Sequence, residues 1–299
     1  MNTRLKNSLK TTIKVVVSAT LLYLVFSKLG VENLWQTLKQ SSPLCFIAAF
    51  LLVLGSKWLS HIRLINYLKS IDLVVPQLMH WKLYLQGMFY NLFLPGGIGG
   101  DAYKAYVLSK QYPVKVKRII AALFLDRLSG LVALTTLTLL LCSIYFGLYT
   151  PIISATLVPL ATVMRFAFVL SPLAILGFYA VHRIWFSYAL SVFYQTTLGS
   201  FVLQGLQVVA AYILLLGLGN VENAWPFLLL FTLSSMLSVL PLSIGGIGLR
   251  EITFFYGAQW LQLDSEVAVA LSVLFFSVNA LVSLIGLPYH FKPVFKAIV

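Results

Sequence analysis

The chain has 299 residues, of which 60% are hydrophobic and 10% charged, with a mean hydropathy of +0.93 and a formal net charge of +13. So little polar surface cannot cover a water-soluble globule, which excludes that class and requires a bilayer as part of the solvent. A basic balance of this size suggests nucleic acid in a soluble chain, but here Lys and Arg fall mainly in alternate loops and encode membrane orientation, so no nucleic-acid partner is expected.

About eight hydrophobic segments follow one another, to be judged against the ~20 residues that cross ~30 Å of hydrocarbon. They run approximately over residues 13–29, 43–62, 80–94, 119–146, 158–181, 197–218, 225–242 and 267–289. The fold class predicted is therefore all-α and polytopic, with residues 1–299 as a single integral membrane domain. The first segment follows Arg4, Lys6, Lys10 and Lys14 as a signal peptide would, but no small-residue cleavage site follows and Lys28 closes it, so it reads as a retained helix. Cys45 and Cys142 both lie inside apolar segments, which supports neither a disulfide framework nor a thiolate metal site.

With the N-terminus in the cytoplasm, the loop carrying Arg63, Lys69 and Lys82 also lies inside. The next polar stretch, with Lys104, Lys110, Lys115, Lys117 and Arg118, is the most basic in the chain and belongs on the same side. The segment between them must enter and come back, which predicts a re-entrant hairpin over about residues 80–110, turning at 95–100. The chain then runs outward through 119–146, returns to Arg183 inside, and leaves again to Glu222. The seventh segment breaks at 241–248 and leads to Asp264 and Glu266 with no Lys or Arg between, so a second hairpin, about 225–263, hangs from the outer face. The last segment returns to Lys292 and Lys296, placing both termini in the cytoplasm; Lys28, Lys39 and Arg165 stay outside as exceptions.

Each hairpin carries the same string at its turn. Gly96-Gly97-Ile98-Gly99 follows Leu94-Pro95, and Gly245-Gly246-Ile247-Gly248 follows Leu240-Pro241. Two broken segments entering from opposite faces are the pattern of an inverted repeat with a binding site near the midplane. After each glycine turn a short helix begins, and its first N–H groups have no intrahelical partner and carry about half a positive charge, which suits an anion such as phosphate. Glycine lets backbone approach a ligand closely, while Pro95 and Pro241 terminate the preceding helix. The candidate substrate-binding residues are Gly96, Gly97, Gly99, Gly100, Asp101 and Lys104 in the first hairpin, and Gly245, Gly246, Gly248, Arg250 and Glu251 in the second. Lys104 and Arg250 suit contact with a phosphate; Asp101 and Glu251 suit helix capping or pairing with those cations. The plainer alternative is that both strings only break helices and allow close packing.

Asp126 and Arg127 lie within the fourth span and should face the protein interior, serving either to lock helices together or as part of a pathway. His61, His80, His182 and His290 lie near predicted span ends in no metal-binding spacing, so interfacial solvation is expected for all four. Trp58, Trp81, Trp185 and Trp225 read as interface anchors. The basic stretch from Lys104 to Arg118 serves topology first and anionic headgroups second.

The strings NLFLPGGIGGD (Asn91 to Asp101), LDR (Leu125 to Arg127) and LPLSIGGIGLRE (Leu240 to Glu251), in this order, resemble the lysylphosphatidylglycerol synthase transmembrane-region family. That family includes the flippase-like membrane half of the bacterial multiple peptide resistance factor, small stand-alone membrane proteins, and the membrane part of an archaeal dolichol-linked sugar transferase. The resemblance implies a bacterial or archaeal inner-membrane protein that moves an anionic or glycosylated phospholipid-like substrate between leaflets. The sequence ends at Val299, shortly past the last span, so aminoacylation by the chain alone is not expected. No catalytic His or Cys constellation, metal site or nucleotide-binding loop is evident, so no enzyme activity and no cofactor are expected. A membrane-embedded transferase acting on a lipid-linked substrate, and a non-catalytic partner of a separate lipid-modifying enzyme, are the alternatives; self-association is open.

Overall fold

The structure, a computed structural model, describes residues 23, 31–93, 99–148, 164, 166–219, 224–239, 248–291 and 294–295. The first predicted segment apart from Tyr23, and the turns at 94–98 and 240–247, lie outside the described residues.

The described chain is helical, with no strand. A short amphipathic helix, α1 (Val31–Gln40), precedes α2 (Pro43–Lys69), which starts with proline in its first turn, where the missing N–H has no intrahelical partner to lose. Then come α3 (Gln77–Phe93), α4 (Gly99–Gln111) and α5 (Val116–Leu148). After a 3₁₀ turn, α6 (Ser171–Trp185) leads through a second 3₁₀ turn to α7 (Phe193–Gly217), followed by α8 (Ala224–Ser238) and α9 (Leu249–Trp260). The Asp264 carboxylate accepts from the backbone N–H of Glu266 and Val267 at 2.8 and 3.2 Å, and so opens α10 (Ser265–Leu284).

Among the described residues, five stretches are long and apolar enough to cross a membrane: Pro43–Lys69, Val116–Gly147, Ala167–Trp185, Ser187–Gly217 and Ser265–Phe291. The third and seventh predicted segments fall instead on the shorter α3 and α8, of 17 and 15 residues, whose partners α4 and α9 have 13 and 12. At a rise of 1.5 Å per residue these four are about 26, 22, 20 and 18 Å long, each short of the ~30 Å hydrocarbon thickness. The outer face of α6, with Leu173, Leu176, Ile184 and Trp185 exposed, is the kind of surface that only lipid or protein can cover.

The most extensive packing joins α2 to α7, and they run antiparallel. Ser42 N, at the start of α2, donates to Gly217 O at the end of α7 over 2.9 Å, and Arg63 Nη1, late in α2, reaches Ser200 Oγ, early in α7, over 2.9 Å. Many of the remaining contacts pair off between the two halves. Helix α3 packs on α4 and α4 on α5; α8 packs on α9 and α9 on α10. Across the halves, α3 meets α10 as α8 meets α5, and α2 meets α10 as α7 meets α5. Swapping α2 with α7, α3 with α8, α4 with α9 and α5 with α10 turns each of these pairings into another.

Two apolar cores form, one at each end of this central pair. Ala49, Val53, Ala211 and Leu214 belong to one, together with α8, α9 and α10; Leu64, Tyr67, Leu68 and Phe193 belong to the other, together with α3, α4 and the start of α5. Between them the helices bury polar groups: Ser56, Ser60, His61 and Arg63 on α2, Asp126 and Ser129 on α5, Thr196 and Ser200 on α7.

Candidate functional site

The first charged cluster starts where α3 and α4 come together. Gly100 N donates to Asn91 Oδ1 over 2.8 Å, and a Cβ at Gly100 would overlap the backbone carbonyl of Gly87, so bare backbone is needed there. This contact sets the start of α4 and points Asp101, in its first turn, into the protein, where it is 9% exposed. One Asp101 oxygen takes Lys104 Nζ at 2.6 Å and the other takes Arg127 Nε from α5. The Lys104 ammonium also lies 4.9 Å over the ring of Tyr84, which adds a cation–π contact to a side chain only 5% exposed.

The residue before Arg127 turns to another partner. Asp126 accepts from Arg63 Nε at 2.7 Å, and Arg63 further donates to Ser200 Oγ on α7 and, at 3.4 Å, to Ser60 Oγ on its own helix. Two neighbouring residues thus tie α5 to α4 on one side and to α2 and α7 on the other. In this cluster Arg63, Asp101, Lys104 and Asp126, all buried, each have an opposite charge in contact, as a low-dielectric interior demands.

The second cluster opens α9. Gly248 has φ +89°, a conformation that suits glycine, and its N–H donates to Glu251 Oε2 over 2.6 Å. The other Glu251 oxygen accepts from Ser272 Oγ on α10 at 3.1 Å. Arg250 meets the same helix, its guanidinium 5.3 Å over the ring of Phe275, with Nε buried and without a hydrogen-bond partner.

Gly99, Gly100, Asp101, Lys104, Gly248, Arg250, Glu251, Asp126 and Arg127 are all among the described residues; Gly96, Gly97, Gly245 and Gly246 are not. Asp101 and Glu251 do what their positions suggested, the first pairing with cations and the second capping its helix. Lys104, a candidate phosphate ligand, points its ammonium at Asp101.

Two expectations need correction. Arg63 is not a loop charge: α2 continues to Lys69, and Arg63 is 7% exposed inside the bundle. His61, His80 and His182 are not solvated at an interface, since each is fully buried; His290 alone is exposed, with Nδ1 3.0 Å from Tyr90 Oη. His61 and His80 stack with Nδ1 to Nδ1 at 2.8 Å, one ring donating and the other accepting, and Trp58 and Trp81 close over them. Nothing in the local sequence marks this pair, whose members are 19 residues apart on different helices.

Among the described residues no group of three or more His, Cys, Asp or Glu side chains is placed to hold a metal ion. Beside the second cluster, a cavity of about 640 Å³ opens between α5, α8 and α9, lined by Cys142, Leu229, Leu233, Leu237, Ile252 and Tyr256 among others. That volume lies within the roughly 300–1,000 Å³ of small-molecule pockets, and its walls are almost wholly apolar.

Helices long enough to cross a bilayer, short paired helices between them and buried charge at their starts define a multi-pass helical membrane protein. The family profile described as lysylphosphatidylglycerol synthase TM region matches residues 11–286, and the chain belongs to this family. Its relation is therefore to membrane proteins of lipid modification or transport. No curated protein matches the chain.

Proposed function

We propose that this protein moves an anionic or glycosylated phospholipid-like molecule between the leaflets of the membrane, holding its headgroup between two re-entrant hairpins. The observation that carries this reading is the set of buried charges at the starts of α4 and α9, in a bundle built to lie in hydrocarbon. Charge at such a depth is costly and marks pathways for polar cargo. The family supports a lipid as that cargo, and the apolar cavity beside α9 suits an acyl chain.

The pairs α3/α4 and α8/α9, too short to span singly, are the two hairpins; with the remaining helices and the first segment they make about eight hydrophobic segments. The antiparallel α2 and α7 and the contacts that pair off between the halves support an inverted repeat, in which rocking one half against the other alternates access to the headgroup site. Both termini lie on the cytoplasmic side of a cell membrane. No group transfer is assigned to the chain, and its partners are the lipid itself and, where the lipid is made by a separate enzyme, that enzyme.

Movement of fluorescent and native phospholipids between leaflets of sealed liposomes containing the purified protein tests this. Headgroup-selective movement that needs the protein and falls in Asp101→Asn and Arg250→Ala is expected. No movement of any lipid by folded protein, or headgroup turnover in its place, removes the transport reading in favour of a transferase or partner role.

A further inference from the structure

Where α2 packs on α3, two histidines are shut away from water. The rings of His61 and His80 stack with centroids 4.8 Å apart and share one hydrogen bond, Nδ1 to Nδ1 at 2.8 Å. Trp58 and Trp81 cover them, 4.9 Å from each other and 5.0 and 5.2 Å from the His61 ring. Neither Nε2 has a hydrogen-bond partner, an arrangement that costs stability. The fold does not require it. The two glycine strings begin at Gly96 and Gly245, 149 positions apart, and α5 and α10 begin at Val116 and Ser265, the same distance apart. At that spacing the second half has Ala210 in place of His61 and Leu229 in place of His80, both buried, and α7 still packs on α8.

The proton count of the pair is fixed by its shared hydrogen bond. Two uncharged imidazoles carry two ring protons: one lies between the Nδ1 atoms and the other is on Nε2 of the accepting ring, which leaves Nε2 of the donating ring with a bare lone pair. A third proton adds to that lone pair with the shared bond intact, and the pair becomes one cation. A fourth would put protons on both Nδ1 atoms and break the bond. The pair therefore stores one proton and titrates as a unit.

Under its cover that cation has no counter-ion. Helix α2 carries Lys57 and Arg63 to either side of His61, and α3 carries Lys82 and Tyr84 after His80. From α4 comes Lys104, its ammonium 4.9 Å from the Tyr84 ring, which in turn stands 6.1 Å from the His61 ring. The carboxylates of this region, Asp101 and Asp126, are held by Lys104, Arg127 and Arg63. Helix α7 has no charged residue, and α10 has only Glu266, in its first turn. A positive charge on the covered pair is thus costly, and it becomes tolerable when water reaches the rings.

We propose that the His61–His80 pair is a proton-binding site that couples lipid movement to a pH gradient, uncharged while Trp58 and Trp81 cover it and loaded with one proton when they part. This deepens the lipid-moving reading and rests on it for the cargo. Because the charged pair is favoured in water and disfavoured under the cover, the covered arrangement is stable above the ordinary imidazole range, about pH 6.5, and gives way as the pH falls below it. For one proton the covered-to-open ratio drops about tenfold per pH unit. Lys104 lies on the far side of Tyr84 from the pair and holds Asp101, so charge on the pair is felt at the first charged cluster.

The test uses the purified full chain, labelled with 15N-histidine in detergent micelles and unlabelled in sealed liposomes. The chain has 4 histidines, and the exposed His290 is an internal reference. At neutral pH one ring of the pair should carry its proton on Nδ1 and the other on Nε2. On acidification the pair should take up one proton jointly, together with a rise in acrylamide quenching of tryptophan fluorescence. In liposomes a pH step across the membrane should speed phospholipid movement in wild type, by about tenfold per unit. His61→Leu combined with His80→Leu should move lipid at one rate with and without the step, and His290→Gln should behave as wild type.

Gradient-driven movement that survives in the double variant overturns the proposal. Wild-type movement indifferent to the gradient also overturns it and leaves the lipid-moving reading standing. If the double variant does not fold, the wild-type spectrum decides: separate titration of His61 and His80 alongside His290, or acidification with neither proton uptake by the pair nor added quenching, removes the site. Joint uptake of one proton with opening, in a protein that moves no lipid, keeps the proton site and removes the lipid-moving reading.

Discussion

Arg63 Nε donates to Asp126 Oδ1 over 2.7 Å, joining α2 to α5 between residues 63 positions apart in the chain. Both side chains are about nine-tenths buried, so removing one leaves the other charged and unpaired in a low-dielectric interior. Arg63→Ala should therefore cost about 3–5 kcal/mol, while Arg63→Met combined with Asp126→Leu should lie close to wild type, because both charges leave together. Ser200 tolerates the loss of Arg63, since its Oγ also donates to Thr196 O at 2.7 Å. Unfolding in detergent micelles followed by tryptophan fluorescence measures both variants. A double variant as unstable as Arg63→Ala would show that the ion pair itself contributes net stability.

Gly100 offers a cleaner steric test. A methyl group there meets the Gly87 carbonyl, which is backbone and cannot swing aside, whereas a methyl at Gly55 on α2 meets nothing within 4 Å. Gly100→Ala should destabilise by about 1–3 kcal/mol, through parting of α3 from α4 and loss of the Gly100 N to Asn91 hydrogen bond. Gly55→Ala should stay within about 0.5 kcal/mol of wild type. Equal unfolding midpoints for the two variants would mean that α3 and α4 do not pack this closely.

Asp101 serves two cations, and that asymmetry is testable by suppression. Asp101→Asn keeps the shape of the side chain but leaves Lys104 and Arg127 without a carboxylate, so both stability and lipid movement should fall. Adding Lys104→Met removes the more buried of the two cations, 6% exposed against 38% for Arg127. Stability should then recover toward wild type. Movement should not recover, because the carboxylate that positions Arg127 is still missing. Recovery of both together would reduce Asp101 to a purely structural role.

What the sequence made legible follows from the range of its signals. Helix class, membrane solvent and the two interrupted segments come from local composition, and α3, α4, α8 and α9 fall where the glycine strings placed them. Capping by Glu251 was readable because its partner, Gly248, is three residues away. Asp101 was readable as a partner of Lys104 for the same reason, being three residues from it, but its bond to Arg127 spans 26 positions and no spacing rule reaches that far. Arg63 was misplaced because a cation near a span end fits the positive-inside rule equally well in a loop or in the interior. The signal that separates the two was already present at Asp126, an intramembrane carboxylate that needs a cation beyond the Arg127 next to it. His61 and His80 failed for a different reason, since their burial depends on Trp58 and Trp81 packing across two helices, which a single chain pattern does not encode.

The start of α9 depends on one backbone conformation and one carboxylate. At φ +89° and ψ −49° Gly248 occupies a region that a side chain rarely adopts, and its N–H is held by Glu251 Oε2. Gly248→Ala should cost roughly 1–3 kcal/mol in backbone strain. Glu251→Ala leaves the Gly248 N–H and the Ser272 hydroxyl, both buried, without their acceptor, a loss of about 1–3 kcal/mol for each such group. If the cap and the glycine conformation hold the same turn, the two losses overlap, and Gly248→Ala with Glu251→Ala should cost less than the sum of the single variants. The double-mutant cycle, read from urea unfolding in micelles, gives the coupling directly. A coupling near zero would separate the turn from the carboxylate and make Glu251 a residue held for its electrostatic pull on Arg250 instead.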